Sequence, residues 1–282
     1  MSEEVQKEMT FLDHLEELRW HLVRGGAAVL VLMVAAFLAK ELVVDVILLG
    51  PSRVDFWTYR KLCEISEIIG TSDAFCVNEL PFVIQSRTMT GQFTMHLLVS
   101  AVAGLIAAFP YFFWEIWRFI KPGLYPTEAK RARGATFFVS LLFMLGVTFG
   151  YFVVSPLSIN FLANYQMSET ILNEIDIASY VKTVAMLVLS CAIMFQLPMV
   201  ALFLSRAGLL TPEIMRHYRR HAVVVILVIG AIITPPDIFS QVLLAMPVYL
   251  LYEISILISA AVQRRARKAI EKMREQNLQK YE

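Results

Sequence analysis

Apolar and polar positions fall along this chain in long blocks rather than in the short alternation of a soluble sheet. Gaps in the charged residues set apolar blocks at about residues 22–42, 93–114, 134 to the residue before Glu169, 184–205, 222–234 and 238–262. Runs of this length with few or no charges read as membrane-crossing helices. Block 222–234 is short: 13 residues at about 1.5 Å each reach only about 20 Å, against a hydrocarbon core of about 30 Å. It reads as a short helix that continues into flanking polar residues and thins the bilayer locally, with a re-entrant segment as the alternative. The "TPPD" prolines, Thr234 to Asp237, then turn the chain into the last block. The expected fold class is an all-α integral membrane protein with six transmembrane helices. Its domain organisation is a single membrane domain over 1–282: an amphipathic segment 1–21, a six-span core 22–262 and a basic tail 263–282.

Just before the first block, "TFLDHLEELRWHL" has a different period. Phe11, Leu15, Leu18 and Leu22 recur at helical spacing, while Asp13, Glu16, Glu17 and Trp20 fall on the opposite face. Thr10 and Asp13 have the spacing of a capping box. The stripe would lay this helix on the membrane surface, with its carboxylates either simply solvated or forming a patch for a cationic partner.

Composition and charge sharpen the picture. Of 282 residues, 57% are apolar and 17% charged, below the roughly 25% charged of soluble domains. The net charge of +1 gives no nucleic-acid signal, because the charges are segregated along the chain. Nineteen Lys and Arg fall in the N-terminal segment, the 2–3 loop, the 4–5 loop and the tail; only Arg53, Arg60, Lys61 and Arg87 fall on the other side. That asymmetry places both termini in the cytoplasm. The polar, acidic start is unlike a secretory signal peptide, so the first span is expected to stay in the mature protein. Cys191 lies in an apolar run and reads as a small buried side chain, whereas Cys63 and Cys76 share the extracytoplasmic 1–2 loop and are a possible disulfide in an oxidising compartment.

Candidate chemistry is sparse. The 2–3 region "FPYFFWEIWRFIKPGLYPTEAKR" is dense in aromatics, and Glu128 stands among Lys130, Arg131 and Arg133, either as a local charge pair or as a second carboxylate of the binding surface. Gln196 in "FQLP", Glu253 about midway along the last span, and Gln241 and Asp237 near its start are polar positions in or beside apolar blocks, where function and interhelical hydrogen bonding both have to be considered. "GVTFG", Gly146 to Gly150, allows close helix packing. "HYRRH" spaces His217 and His221 for a metal, but among arginines it reads as a basic surface. No Walker A, HExxH, GxSxG or CxxCH motif occurs, so an ATPase, protease or haem protein is unsupported and no cofactor or metal is expected. No internal repeat supports an inverted-repeat transporter.

Taken together, "HLEELR", "FPYFFWEIWRFIKPGLYPTE", "FGYFVVSPL", "DIASYV" and "TPPDIFSQVLLAMPVYLLYEI" resemble TatC, the multispanning subunit family of the twin-arginine protein translocase, in the family's order and over most of the chain. The resemblance implies a concave, glove-like fold of six helices with short spans 5 and 6 in the bacterial cytoplasmic (inner) membrane. It implies a non-enzymatic receptor for twin-arginine signal peptides of folded proteins, working with TatA- and TatB-type single-span partners, as a homo-oligomer in the receptor complex, on the proton-motive force. By motif, Glu17 and Glu128 would hold the paired arginines, Arg19, Phe119 and Pro110 match the recognition region, and Asp237 matches the acidic residue of the last extracytoplasmic turn. Gln196 departs from the Glu the family often has there. The alternative is a proton-coupled transporter of a small solute, with Gln196 and Glu253 at its midplane.

Overall fold

In the computed structural model of this chain, residues 11–69, 76–77, 79–120, 134–168, 173–206, 208–233 and 238–279 are described. They are predominantly helical. Among them, five helices or helix runs are long and apolar enough to cross a membrane: Leu15–Leu38, Gly91–Ile120, Thr136–Asn164, Ile177–Arg206 and Gln241–Arg265. The chain divides into two compact units, one of residues 1–48 and 88–141, the other of residues 49–87 and 142–282.

The first unit is built on α1 (Phe11–Leu38) and α3 (Gly91–Ile120). Facing pairs run His21 with Glu115, Gly25 with Phe112, Met33 with Gly104 and Phe37 with His96. As one number rises the other falls, so the two helices are antiparallel. They approach most closely at Gly104, where a Cβ would lie 2.5 Å from the backbone nitrogen of Met33. The acidic N-terminal segment is not a separate surface helix. It is the first turns of α1, which runs unbroken into the apolar block because no proline intervenes and Gly25 and Gly26 cost a helix only about 1 kcal/mol each. The capping position Thr10 lies outside the described residues. Past α1, a π-helical stretch Glu41–Leu48 extends the unit.

The second unit contains α2 (Trp57–Ile69), short strands β1 (Val83–Gln85) and β2 (Glu174–Asp176), and helices α4 (Ala135–Phe149), α5 (Ser155–Asn164), α6 (Ile177–Met194), α7 (Leu197–Arg206), α8 (Pro212–His217), α9 (Arg219–Ile233) and α10 (Ile238–Gln279); only the first residues of α4 belong to the first unit. The third apolar block is interrupted by a π-helical turn, Gly150–Val154, and its helix ends at Asn164. The fourth block is two helices, not one. Pro198 has no N–H to give and its ring clashes with the carbonyl four residues back, so the chain breaks at Phe195 and Gln196. "GVTFG" packs against α6: a Cβ at Gly146 would lie 2.6 Å from the Ala192 Cα, and one at Gly150 2.9 Å from the Val188 Cα. Cys191, 1% exposed, joins Val154, Leu187, Ile226, Leu244 and Val248 in the core behind this contact.

Connections between the helices of this unit are tied to one another. A disulfide joins Cys63 to Cys76 with Cα atoms 4.4 Å apart. Strands β1 and β2 pair in parallel, Val83 opposite Glu174 and Gln85 opposite Asp176. Asp176, the first residue of "DIASYV", caps α6 by accepting from the Ala178 N–H at 2.7 Å. Tyr59, 2% exposed, places its hydroxyl 3.0 and 2.8 Å from the carbonyl oxygens of Pro51 and Pro156. Burial pushes that phenol well above its ordinary range, so it remains a donor.

Of the short block, residue 234 lies outside the described residues; residues 222–233 lie in α9, whose 15 residues reach about 22 Å at about 1.5 Å each. It pairs antiparallel with α10: Gln241 Nε2 donates to the Leu227 carbonyl at 2.8 Å, and Arg219 meets Glu253 at 2.8 Å.

Candidate functional site

Periodicity made Glu16 and Glu17 equal members of one acidic face. The packing of α1 on α3 separates them. Glu16 is exposed; Glu17, with its side chain 35% exposed, turns toward α3 and lines a cleft of ≈ 380 Å³ with Trp20, His21, Arg24 and Arg118. Steps of three and four residues carry Glu17, Trp20, His21 and Arg24 along one side of α1.

Beneath the cleft lies a buried polar chain. His21 is 7% and Glu115 2% exposed. The His21 Nδ1–H donates to Glu115 Oε2 at 2.5 Å, and the Tyr111 hydroxyl donates to Glu115 Oε1 at 2.9 Å. Both oxygens of the buried carboxylate are therefore engaged, which is the condition for keeping such a group away from water. On the other side of the imidazole, His21 Nε2 lies 3.9 Å from Glu17 Oε1. The Phe119 ring is 6.4 Å from that of His21, and the Arg118 guanidinium lies 4.9 Å above the Trp114 ring. The cleft thus offers a partly hydrated carboxylate, able to accept from a guanidinium or ammonium, set among fixed cations and aromatics at the end of two apolar helices.

The other candidate positions are dispersed. Arg19 is exposed on α1; Pro110 is within α3, next to Tyr111, and does not line the cleft. Glu128 and Asp237 lie outside the described residues. Gln196 sits at the break between α6 and α7, its Nε2 3.5 Å from the Ala192 carbonyl oxygen. Glu253 lies midway along the Gln241–Arg265 run. It is bonded to Arg219 in the first turn of α9 and to the Tyr249 hydroxyl at 3.0 Å, so it lies level with the basic "HYRRH" end of the α9–α10 pair. Its carboxylate is thus engaged by Arg219 and Tyr249. His217 and His221 are separated by the Tyr218 ring, 5.1 and 5.4 Å from each, and among the described residues no group of three or more His, Cys, Asp or Glu is placed to hold a metal.

His21, Glu115, Tyr111 and Arg118 did not stand out in the sequence. The sequence does carry a signal: Glu115 is a lone carboxylate in the aromatic run "FFWEIW", one position past the charge-free block 93–114.

The family model described as Sec-independent protein translocase protein (TatC) matches residues 13–247. The TatC of Blattabacterium sp. subsp. Periplaneta americana (strain BPLAN) is 36% identical over 261 residues, 92% of this chain and 98% of its own length. TatCy of Bacillus subtilis (strain 168) is 30% identical over 263 residues, 93% of each. Two crystal structures of the twin arginine translocase receptor TatC, one of them in DDM, superpose with TM-scores of 0.64 and 0.68 at 31% and 32% identity. They cover 89% and 87% of this chain and 99% of their own.

Proposed function

Because the chain belongs to the TatC family of Sec-independent protein translocase proteins, we propose that it is the signal-peptide receptor subunit of a twin-arginine translocase. The protein is a membrane component of that translocase, with no catalytic step assigned to it. The observation that carries the receptor reading is the Glu17 cleft: a carboxylate held half-buried at the end of two apolar helices, in a cleft it shares with Arg24 and Arg118. A guanidinium is always charged and presents forked donors that a carboxylate accepts in pairs. Glu17, with Glu128 from the 2–3 loop, accepts the two arginines, while Arg19, Phe119 and Pro110 shape the surroundings. The relatives of known structure are themselves described as twin arginine translocase receptors.

In this proposal α9 makes a sixth, short crossing of a bacterial inner membrane, and both termini lie on its cytoplasmic side, a reading that the Lys and Arg asymmetry supports. Single-span TatA- and TatB-type subunits and further copies of the chain complete the receptor complex, and the proton-motive force drives transport. The test is binding of a twin-arginine signal peptide to the purified protein in detergent. Specific binding that falls when the paired arginines become paired lysines supports the proposal; equal binding of the two peptides contradicts it.

A further inference from the structure

Once Glu17 is assigned to a cationic ligand, two charges in its cleft remain unexplained. Arg24 and Arg118 line the same cavity. Both are exposed, and among the described residues neither forms a salt bridge. The nearby carboxylates are turned elsewhere: both oxygens of Glu115 are taken by His21 and Tyr111, and Glu17 faces His21 Nε2. Arg118 rests on the Trp114 ring instead. Two guanidinium groups without a carboxylate partner therefore repel an arginine-bearing ligand approaching Glu17, and an anion between them would relieve that repulsion.

The surroundings say which anion. Arg24 and Arg118 stand near the same ends of Leu15–Leu38 and Gly91–Ile120, both long and apolar enough to span. Beside them Trp20 is 53%, Trp114 41% and Leu22 47% exposed. Aromatic rings at that depth lie at headgroup level, and basic pockets between spans on the cytoplasmic side take lipid headgroups. A guanidinium pair matches a phosphodiester through forked hydrogen bonds. We propose that Arg24 and Arg118 hold the phosphate of an anionic phospholipid from the cytoplasmic leaflet, whose acyl chains run along the exposed apolar face of α1, and that this lipid screens the two arginines from the signal peptide. The screening role and the choice of leaflet rest on the receptor reading above; the lipid site itself does not.

The probe is phosphatidylglycerol against phosphatidylcholine. The full chain is reconstituted in an equal mixture of the two, extracted, and read by native mass spectrometry for retained lipid. Wild type is expected to retain phosphatidylglycerol in preference. Arg24→Gln/Arg118→Gln is expected to lose that preference by about tenfold or more, Arg24→Lys/Arg118→Lys to keep part of it, and Arg216→Gln/Arg220→Gln, at another basic surface, to behave as wild type. Thermal melting verifies that each variant is folded. Should the double Gln variant not fold, the single substitutions are read instead, each with a smaller loss. An unchanged preference in the folded Gln variants, or none in wild type, overturns the proposal. Displacement of the lipid by millimolar inorganic phosphate also overturns it, by reassigning the site to free phosphate. Peptide binding is not the readout, so failure here leaves the receptor reading standing, and failure of peptide binding leaves the lipid site.

Discussion

Glu115 shows how much one buried carboxylate organises. It is held within α3 by Tyr111 one turn before it, and it reaches across to α1 through His21. Removing one partner of such a pair leaves the other buried without compensation, at a cost of about 3–5 kcal/mol. Glu115→Ala is therefore expected to lower the melting temperature of the purified protein sharply, whereas Glu115→Gln, which keeps an acceptor for His21, loses much less. Equal melting of the two variants would mean that the pair contributes nothing to holding α1 on α3. The same contact explains which site residues were legible beforehand. Glu17 announces itself because a carboxylate beside an apolar block breaks the positive-inside pattern. Its difference from Glu16, and the existence of His21 and Glu115 as its neighbours, depends on which side of α1 meets α3, and no period within one helix contains that information.

At the scale of elements, close approach of backbones is what sets the helix pairs. Between apolar helices in lipid, association rides on packing and hydrogen bonds more than on exclusion of water. A Cβ at Gly104 would lie 2.5 Å from the Met33 nitrogen and 2.7 Å from its Cα, both backbone atoms that cannot swing aside, while one at Gly26 meets nothing within 4 Å. Gly104→Ala is expected to destabilise by about 1–3 kcal/mol and Gly26→Ala to be neutral or slightly stabilising, read as opposite shifts of the melting temperature. Matching shifts would contradict the close crossing of α1 and α3. The apolar blocks were legible because long charge-free runs have few other uses. Their interruptions were not. The π-helical turn at Gly150–Val154 and the break at Gln196 leave hydropathy unchanged, and the latter shows only as Pro198. The β1–β2 ladder joins three-residue strands on either side of two spans, too short and too far apart for any local pattern to reveal.

For the whole molecule, the two units divide the labour. The unit of residues 49–87 and 142–282 holds the disulfide, the β ladder, the "GVTFG" contact and the Glu253–Arg219 pair. The unit of residues 1–48 and 88–141 holds the Glu17 cleft and the polar chain beneath it. The family was legible from ordered motifs, several of which now have structural reasons: "DIASYV" begins with the cap of α6, and "HLEELR" carries Glu17 on the α3-facing side of α1. The central claim, that Glu17 is an acceptor for an arginine of the signal peptide, is tested most directly by a double-mutant cycle. Affinities of wild type and of Glu17→Gln are measured for the twin-arginine peptide and for its paired-lysine counterpart. A charge-assisted hydrogen bond contributes about 1.5–3 kcal/mol, so Glu17→Gln is expected to bind the twin-arginine peptide roughly tenfold or more weakly and to lose most of the preference for arginine over lysine. A folded Glu17→Gln protein that binds as tightly as wild type and discriminates the two peptides equally well would contradict the claim.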